Sequence, residues 1–106
     1  MSVRIALAGV SGRMGRTLLE AVAADADCTL SGALDRPGSP LAGQDAGAAL
    51  GTASGVSVTD QPAVALRGAQ ALIDLTRPEA TFAYLDACVA AGVPLVDALN
   101  STAGAA

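Results

Sequence analysis

Three glycines spaced three apart, Gly9, Gly12 and Gly15, lie between the apolar run VRIALA (residues 3–8) and an amphipathic run over 13–24. This arrangement restricts the fold more than anything else in the chain. Without a Cβ the backbone can reverse sharply at Gly9, admit a ligand at Gly12 and let the following helix lie close at Gly15. A strand before such a turn and a helix after it is the context in which the turn holds a pyrophosphate. The helix N-terminus offers free N–H groups and a partial positive charge. Arg13, in the first helical turn, adds a charge-assisted contact. The strict G-x-G-x-x-G spacing is broken, because its first position falls on Val10. A ligand-free, glycine-rich connection is the competing reading of the same residues.

The alternation continues downstream. In the run over 13–24, Met14, Leu18, Leu19 and Val22 share one face at helical spacing. CTLSGAL (28–34) reads as a second strand, and 35–54 as a long Gly/Ala/Ser/Pro loop with a short helical piece near 45–50. GVSVT (55–59) is a short strand, after which Thr59 or Asp60 caps a brief helix carrying Pro62. QALIDL (70–75) is a fourth strand and 78–91 a second long helix, with Phe82, Leu85 and Val89 on one face. Thr76 and Glu79 form a capping box, Pro78 suits the first turn, and Gly92 suits the left-handed position after the last. VPLV (93–96) is a fifth strand. Strands alternating with helices imply parallel units with right-handed crossovers. The expected fold is therefore α/β: a Rossmann-like, doubly wound parallel sheet of about five strands. Residues 1–96 are expected to form one dinucleotide-binding domain, and 97–106 a divergent tail without periodicity.

Composition excludes several functions. The net charge is −4, with six Arg and no Lys, which argues against a nucleic-acid partner. No apolar run approaches the ~18 residues of a membrane span, and the N-terminus passes straight into a strand, so no signal peptide is expected and the cytoplasm is the default. The chain has no His, which removes the commonest general acid/base and excludes Ser-His-Asp and Cys-His triads. Cys28 and Cys88 show no CxxC spacing and read as two buried thiols, with a disulfide or metal pair as the lesser alternative, and no metal site is expected.

Asp35 ends the second strand, 20 positions past Gly15. An acid about 20 residues beyond the glycine turn is where this fold holds a ribose hydroxyl. Arg36 follows and suits a 2′-phosphate or the adenine face, so the acid favours NAD and the Arg keeps NADP open. Thr76 and Arg77 sit at the carboxyl end of the fourth strand, where open α/β sheets bind ligands. Asp74 reads as a hydrogen-bonded strand-end carboxylate, with a buried functional acid as the alternative.

The stretches RIALAGVSGRMGRTLLEAV, GALDRPGSPLAGQDAGAALG and ALIDLTRPEAT closely resemble the N-terminal domain of the 4-hydroxy-tetrahydrodipicolinate reductase (dihydrodipicolinate reductase) family. The resemblance runs from about residue 3 to about residue 96. It implies an NADPH- or NADH-dependent oxidoreductase that transfers hydride to a cyclic dicarboxylic acid in the diaminopimelate route to lysine. It further implies that Gly9, Val10, Ser11, Gly12, Arg13 and Met14 form the pyrophosphate turn, and that Asp35 holds the adenosine ribose with Arg36 beside it. Thr76 and Arg77 are then expected near the nicotinamide end. Leu75 stands where the family usually has Phe, and Ala98–Thr102 do not match the family's Gly-Thr-Thr-Gly-Phe stretch. The family's catalytic His-rich, Lys-bearing motif and its homotetramer belong to a second domain, so no catalytic residue is assigned in this chain and it is expected to be inactive alone. The alternative is a non-catalytic dinucleotide-binding module or remnant. Another Rossmann oxidoreductase, acting on sugars or amino acids, is disfavoured by the GRMG and TRPE pair.

Overall fold

The computed structural model describes residues 2–98. Strands β1 (Val3–Ala8), β2 (Cys28–Leu34), β3 (Val58–Thr59), β4 (Ala71–Asp74) and β5 (Leu95–Asp97) alternate with helices α1 (Arg13–Ala24), α2 (Pro62–Ala65) and α3 (Pro78–Ala91). The strands form one parallel sheet in the order β3-β2-β1-β4-β5. The chain winds outward from β1 in one direction and restarts at β4 in the other. That reversal opens a crevice at the carboxyl ends of β1 and β4.

Alternation along the strands divides the core between the two faces. Leu7, Ala33 and Val58 join Val10 and Leu19 in one cluster, with Ile5 and Ile73 packed against it. Ala6, Ala8, Leu34 and Leu72 join Ala65, Leu66, Tyr84 and Cys88 in the other. The helices therefore cover both faces, as a doubly wound sheet requires.

The first three elements lie where periodicity puts them, but several details differ. Leu19 and Val22 bury the inner face of α1, whereas Met14 is 49% exposed. The expected apolar face of α3 is reversed: Phe82 is 70% exposed, Leu85 42% and Val89 74%, while Tyr84 and Cys88 are buried. The reason is close approach. Beneath α3 the sheet carries Ala6 and Ala8, and Ala80, Ala87 and Cys88 pack against it in the same cluster.

The capping box is not formed. Arg77 is the N-cap of α3 and makes no side-chain cap bond. The Thr76 hydroxyl is taken instead by Asp74. Neither Thr59 nor Asp60 caps α2, whose N-cap is Gln61, although the Thr59 hydroxyl accepts the Gln61 N–H at 3.1 Å. Gly92 takes the left-handed conformation after α3, as expected. Strand β3 is only two residues long, and β5 runs to Asp97, one residue past the expected domain boundary. Cys28 is half-buried rather than buried. The rest of the expected tail, residues 99–106, lies outside the described residues.

Candidate functional site

The glycine turn fills the reversal point of the sheet. Gly9 has φ +88°, and a Cβ there would lie 3.2 Å from Thr76 Cγ2, so the turn presses directly on the segment after β4. Gly15 is closer still: a Cβ would meet Gly9 O at 2.4 Å and Val10 Cα at 2.7 Å. Gly12 is different. It is the N-cap of α1 at φ −81°, and the only atom that a Cβ there would approach is Gly9 O, at 3.8 Å. Gly9 and Gly15 thus shape the turn, while Gly12 leaves its surface open.

Asp35 follows β2 and is only 4% exposed. Its Oδ1 accepts the Ser11 hydroxyl at 3.1 Å. Its Oδ2 is buried and has no hydrogen-bond partner. Arg36 Nη1 lies 3.7 Å from that oxygen, beyond hydrogen-bond length, and donates instead to Ser11 Oγ at 3.2 Å. The acid, the Arg and the glycine turn therefore meet through one hydroxyl.

Across from Asp35 stands the start of α3. Asp35, Arg36, Thr76, Arg77, Glu79, Ala80 and Tyr84 line one cleft of about 320 Å³. Val10, Ser11, Gly12 and Arg13 line a second cavity of about 290 Å³ on the other side of the turn, with Leu41, Asp45 and Ala46 opposite. Thr76 is set by Asp74, which is fully buried and accepts the Thr76 N–H at 2.8 Å and the hydroxyls of Thr76 and Thr81. Asp74 is thus the hydrogen-bonded strand-end carboxylate that its place in the sequence suggests, and it fastens the β4–α3 junction. Burial first, then the charges of Asp74 and Asp35, push the Tyr84 phenol above its ordinary range.

A profile of the family described as "Dihydrodipicolinate reductase, N-terminus" matches residues 3–100. The chain belongs to this family. The 4-hydroxy-tetrahydrodipicolinate reductase of Thiobacillus denitrificans is 72% identical over 96 residues, and that of Burkholderia pseudomallei 58% identical over 95. These alignments take in 91% and 90% of this chain but only 36% and 35% of the relatives. A dipicolinate-bound dihydrodipicolinate reductase from Paenisporosarcina sp. TG-14 shares the fold, with a TM-score of 0.69 at 20% identity over 91% of this chain and 37% of that one. The match places the chain in a family whose relatives are reductases, and the chain spans about a third of those relatives' length. No described helix is long and apolar enough to cross a membrane.

The structure brings Gly9, Val10, Ser11, Gly12 and Asp35 together. Met14 points outward from the turn, 49% exposed. Thr76 and Arg77 stand on the same cleft as Asp35 and Arg36. Tyr84 also lines this cleft, and sequence reasoning missed it. Its signal is the spacing Ala80–Tyr84–Cys88, a face of small and soft residues that the bulkier Phe82–Leu85–Val89 set obscures. No group of metal-ligating side chains forms among the described residues.

The second cavity has its own organiser. Asp45 Oδ1 accepts the N–H of Gly47 at 2.7 Å, the N–H of Ser54 at 2.9 Å and the Ser54 hydroxyl at 2.7 Å, while Oδ2 accepts the Gly55 N–H at 2.9 Å. These donors, Ser54 first, hold the Asp45 carboxyl well below the usual carboxylate range. A depressed folded value stabilises the loop above the unfolded value of about 4 and loses that contribution as pH falls through the folded value. The amide resonances of Gly47, Ser54 and Gly55 are therefore expected to hold steady as pH falls past about 4 and to shift only in stronger acid. A shared midpoint near 4 would show that these bonds do not hold the loop.

Proposed function

We propose that this domain holds the adenosine and pyrophosphate of NADH or NADPH for a reductase whose substrate is a cyclic, unsaturated dicarboxylic acid. The observation that carries this reading is the buried Oδ2 of Asp35, which faces Arg36 at 3.7 Å but receives no hydrogen bond. A carboxylate oxygen shielded from water and given no donor by the protein calls for one from a ligand. It lies beside a helix N-terminus with an open glycine surface, which suits a phosphate next to a sugar hydroxyl.

The chain's residues then divide as follows. Gly12 and the first N–H groups of α1 receive the pyrophosphate, and Arg13 adds positive charge. Asp35 accepts a ribose hydroxyl. Arg36 and Arg77 present flat guanidinium groups on the walls of the adenosine cleft, Tyr84 lines it beside them, and Asp74 holds the Arg77 wall through Thr76. We assign Thr76 and Arg77 to the adenosine end rather than the nicotinamide end because they line the cleft that Asp35 lines. Once bound, the dinucleotide supplies the hydride. The chain has neither His nor Lys, and the domain alone is expected to show no turnover.

Calorimetric titration with NADH and NADPH tests the reading. Saturable binding is expected. Asp35→Ala should weaken it about tenfold or more, the cost of losing a hydrogen bond to a charged group. Gly12→Asp should abolish it by setting a carboxylate against the phosphates, while the melting temperature holds because the site has room for a side chain. A folded wild-type chain that binds neither dinucleotide overturns the proposal.

A further inference from the structure

Ser11 stands on the glycine turn, yet both of its side-chain interactions reach across to the end of β2. Its hydroxyl donates to Asp35 Oδ1 at 3.1 Å and accepts from Arg36 Nη1 at 3.2 Å. The hydroxyl's one proton is thereby committed. Two consequences follow. The carboxylate is anchored through Oδ1, so that Oδ2, buried and without a hydrogen-bond donor, is the atom left for a ligand. The Arg36 guanidinium is held 3.7 Å from that same oxygen, on Ser11 rather than free in the cleft.

We propose that Ser11 is a positioning residue that sets the choice between the two dinucleotides and favours NADH over NADPH. The inference rests on reading the cleft as the adenosine site. A ribose 2′-hydroxyl is a donor and satisfies Oδ2. A 2′-phosphate brings acceptor oxygens and a charge of about −1.5 to −2 against a carboxylate that cannot swing away. The cation nearest to offset it, Arg36, keeps its Nη1 on Ser11 and beside Asp35, so its charge is already shared with the carboxylate. Arg77 and Glu79, of opposite charge, line the same cleft. Ser11 thus couples phosphate recognition to sugar recognition: the residue between Val10 and Gly12 on the pyrophosphate turn also orients the acid that reads the ribose.

The test is calorimetric titration of the chain with NADH and with NADPH, for wild type, Ser11→Ala and Ser11→Thr, each checked for folding by its thermal melt. Wild type is expected to bind NADH about tenfold tighter than NADPH, the worth of one hydrogen bond to a charged group. Ser11→Ala should weaken NADH severalfold while leaving NADPH unchanged or tighter, so that the ratio collapses toward one. Ser11→Thr keeps the hydroxyl and should keep the ratio. The proposal is overturned if wild type prefers NADPH, or if Ser11→Ala weakens both dinucleotides by the same factor, as a purely structural role predicts. Wild type binding neither dinucleotide overturns the dinucleotide reading itself, and this inference with it. Binding of both with a ratio that Ser11→Ala does not move overturns this inference alone.

Discussion

Replacing Gly32 with alanine is expected to lower stability by about 3 kcal/mol or more, the upper range for inserting atoms into a packed interior. The register of β1 on β2 explains why. Ile5 pairs with Leu30 but Ala6 pairs with Gly32, so Ser31 is an extra residue and β2 is irregular there. α2 packs against the strand at this point, and a Cβ on Gly32 would lie 1.9 Å from Ala65 O, 2.8 Å from Ala65 C and 3.1 Å from Ala65 Cα. All three are backbone atoms, so no side chain can turn aside, and the added methyl displaces either α2 or the strand. For a domain of this size such a loss corresponds to a fall in melting temperature on the order of 10–20 °C, readable by far-ultraviolet circular dichroism. A fall below about 4 °C would mean that α2 slides over the sheet without cost.

Asp74→Ala is expected to be damaging as well, for the opposite reason, an absence rather than an excess. It removes the acceptor for the Thr76 N–H and for the hydroxyls of Thr76 and Thr81. The Thr76 N–H loses its acceptor while the two hydroxyls fall back on Arg77 O, so about 1.5–3 kcal/mol, the worth of hydrogen bonds to a charged group, is expected in urea unfolding. Asp74→Asn keeps one acceptor oxygen and should lose less than half as much. If alanine and asparagine destabilise equally little, the Asp74 network does not hold the junction. Because this junction carries Arg77 into the cleft, the alanine variant should also bind dinucleotide more weakly under conditions where it remains folded.

These two positions also show what can be read from residues alone. The apolar run, the spaced glycines and the amphipathic run define β1, the turn and α1, because each follows a local period that the fold does not override. Asp35 falls at the end of β2 for the same reason. The errors arise where tertiary partners decide. Thr76 and Glu79 have the spacing of a capping box, but a buried carboxylate two residues before Thr76 competes for its hydroxyl and wins. Phe82, Leu85 and Val89 have helical spacing and larger apolar area, but Ala6 and Ala8 set a floor on which α3 packs through small side chains. The Ser11–Asp35–Arg36 arrangement depends on three rotamers from two separate segments, and no linear spacing encodes rotamers. In the loop after β2 the short helical piece expected near 45–50 is present at Ala48–Leu50, but the sequence does not show that the loop's order comes from one carboxylate, Asp45, collecting donors up to ten residues away.

Tyr84 has a practical bearing on all of this. The chain contains one Tyr and no Trp, so its ultraviolet emission comes from a single phenol. That phenol is buried in the wall of the cleft that Asp35 and Arg77 share. The molecule therefore carries its own optical probe at one address, and any change in its emission reports on that cleft without a label.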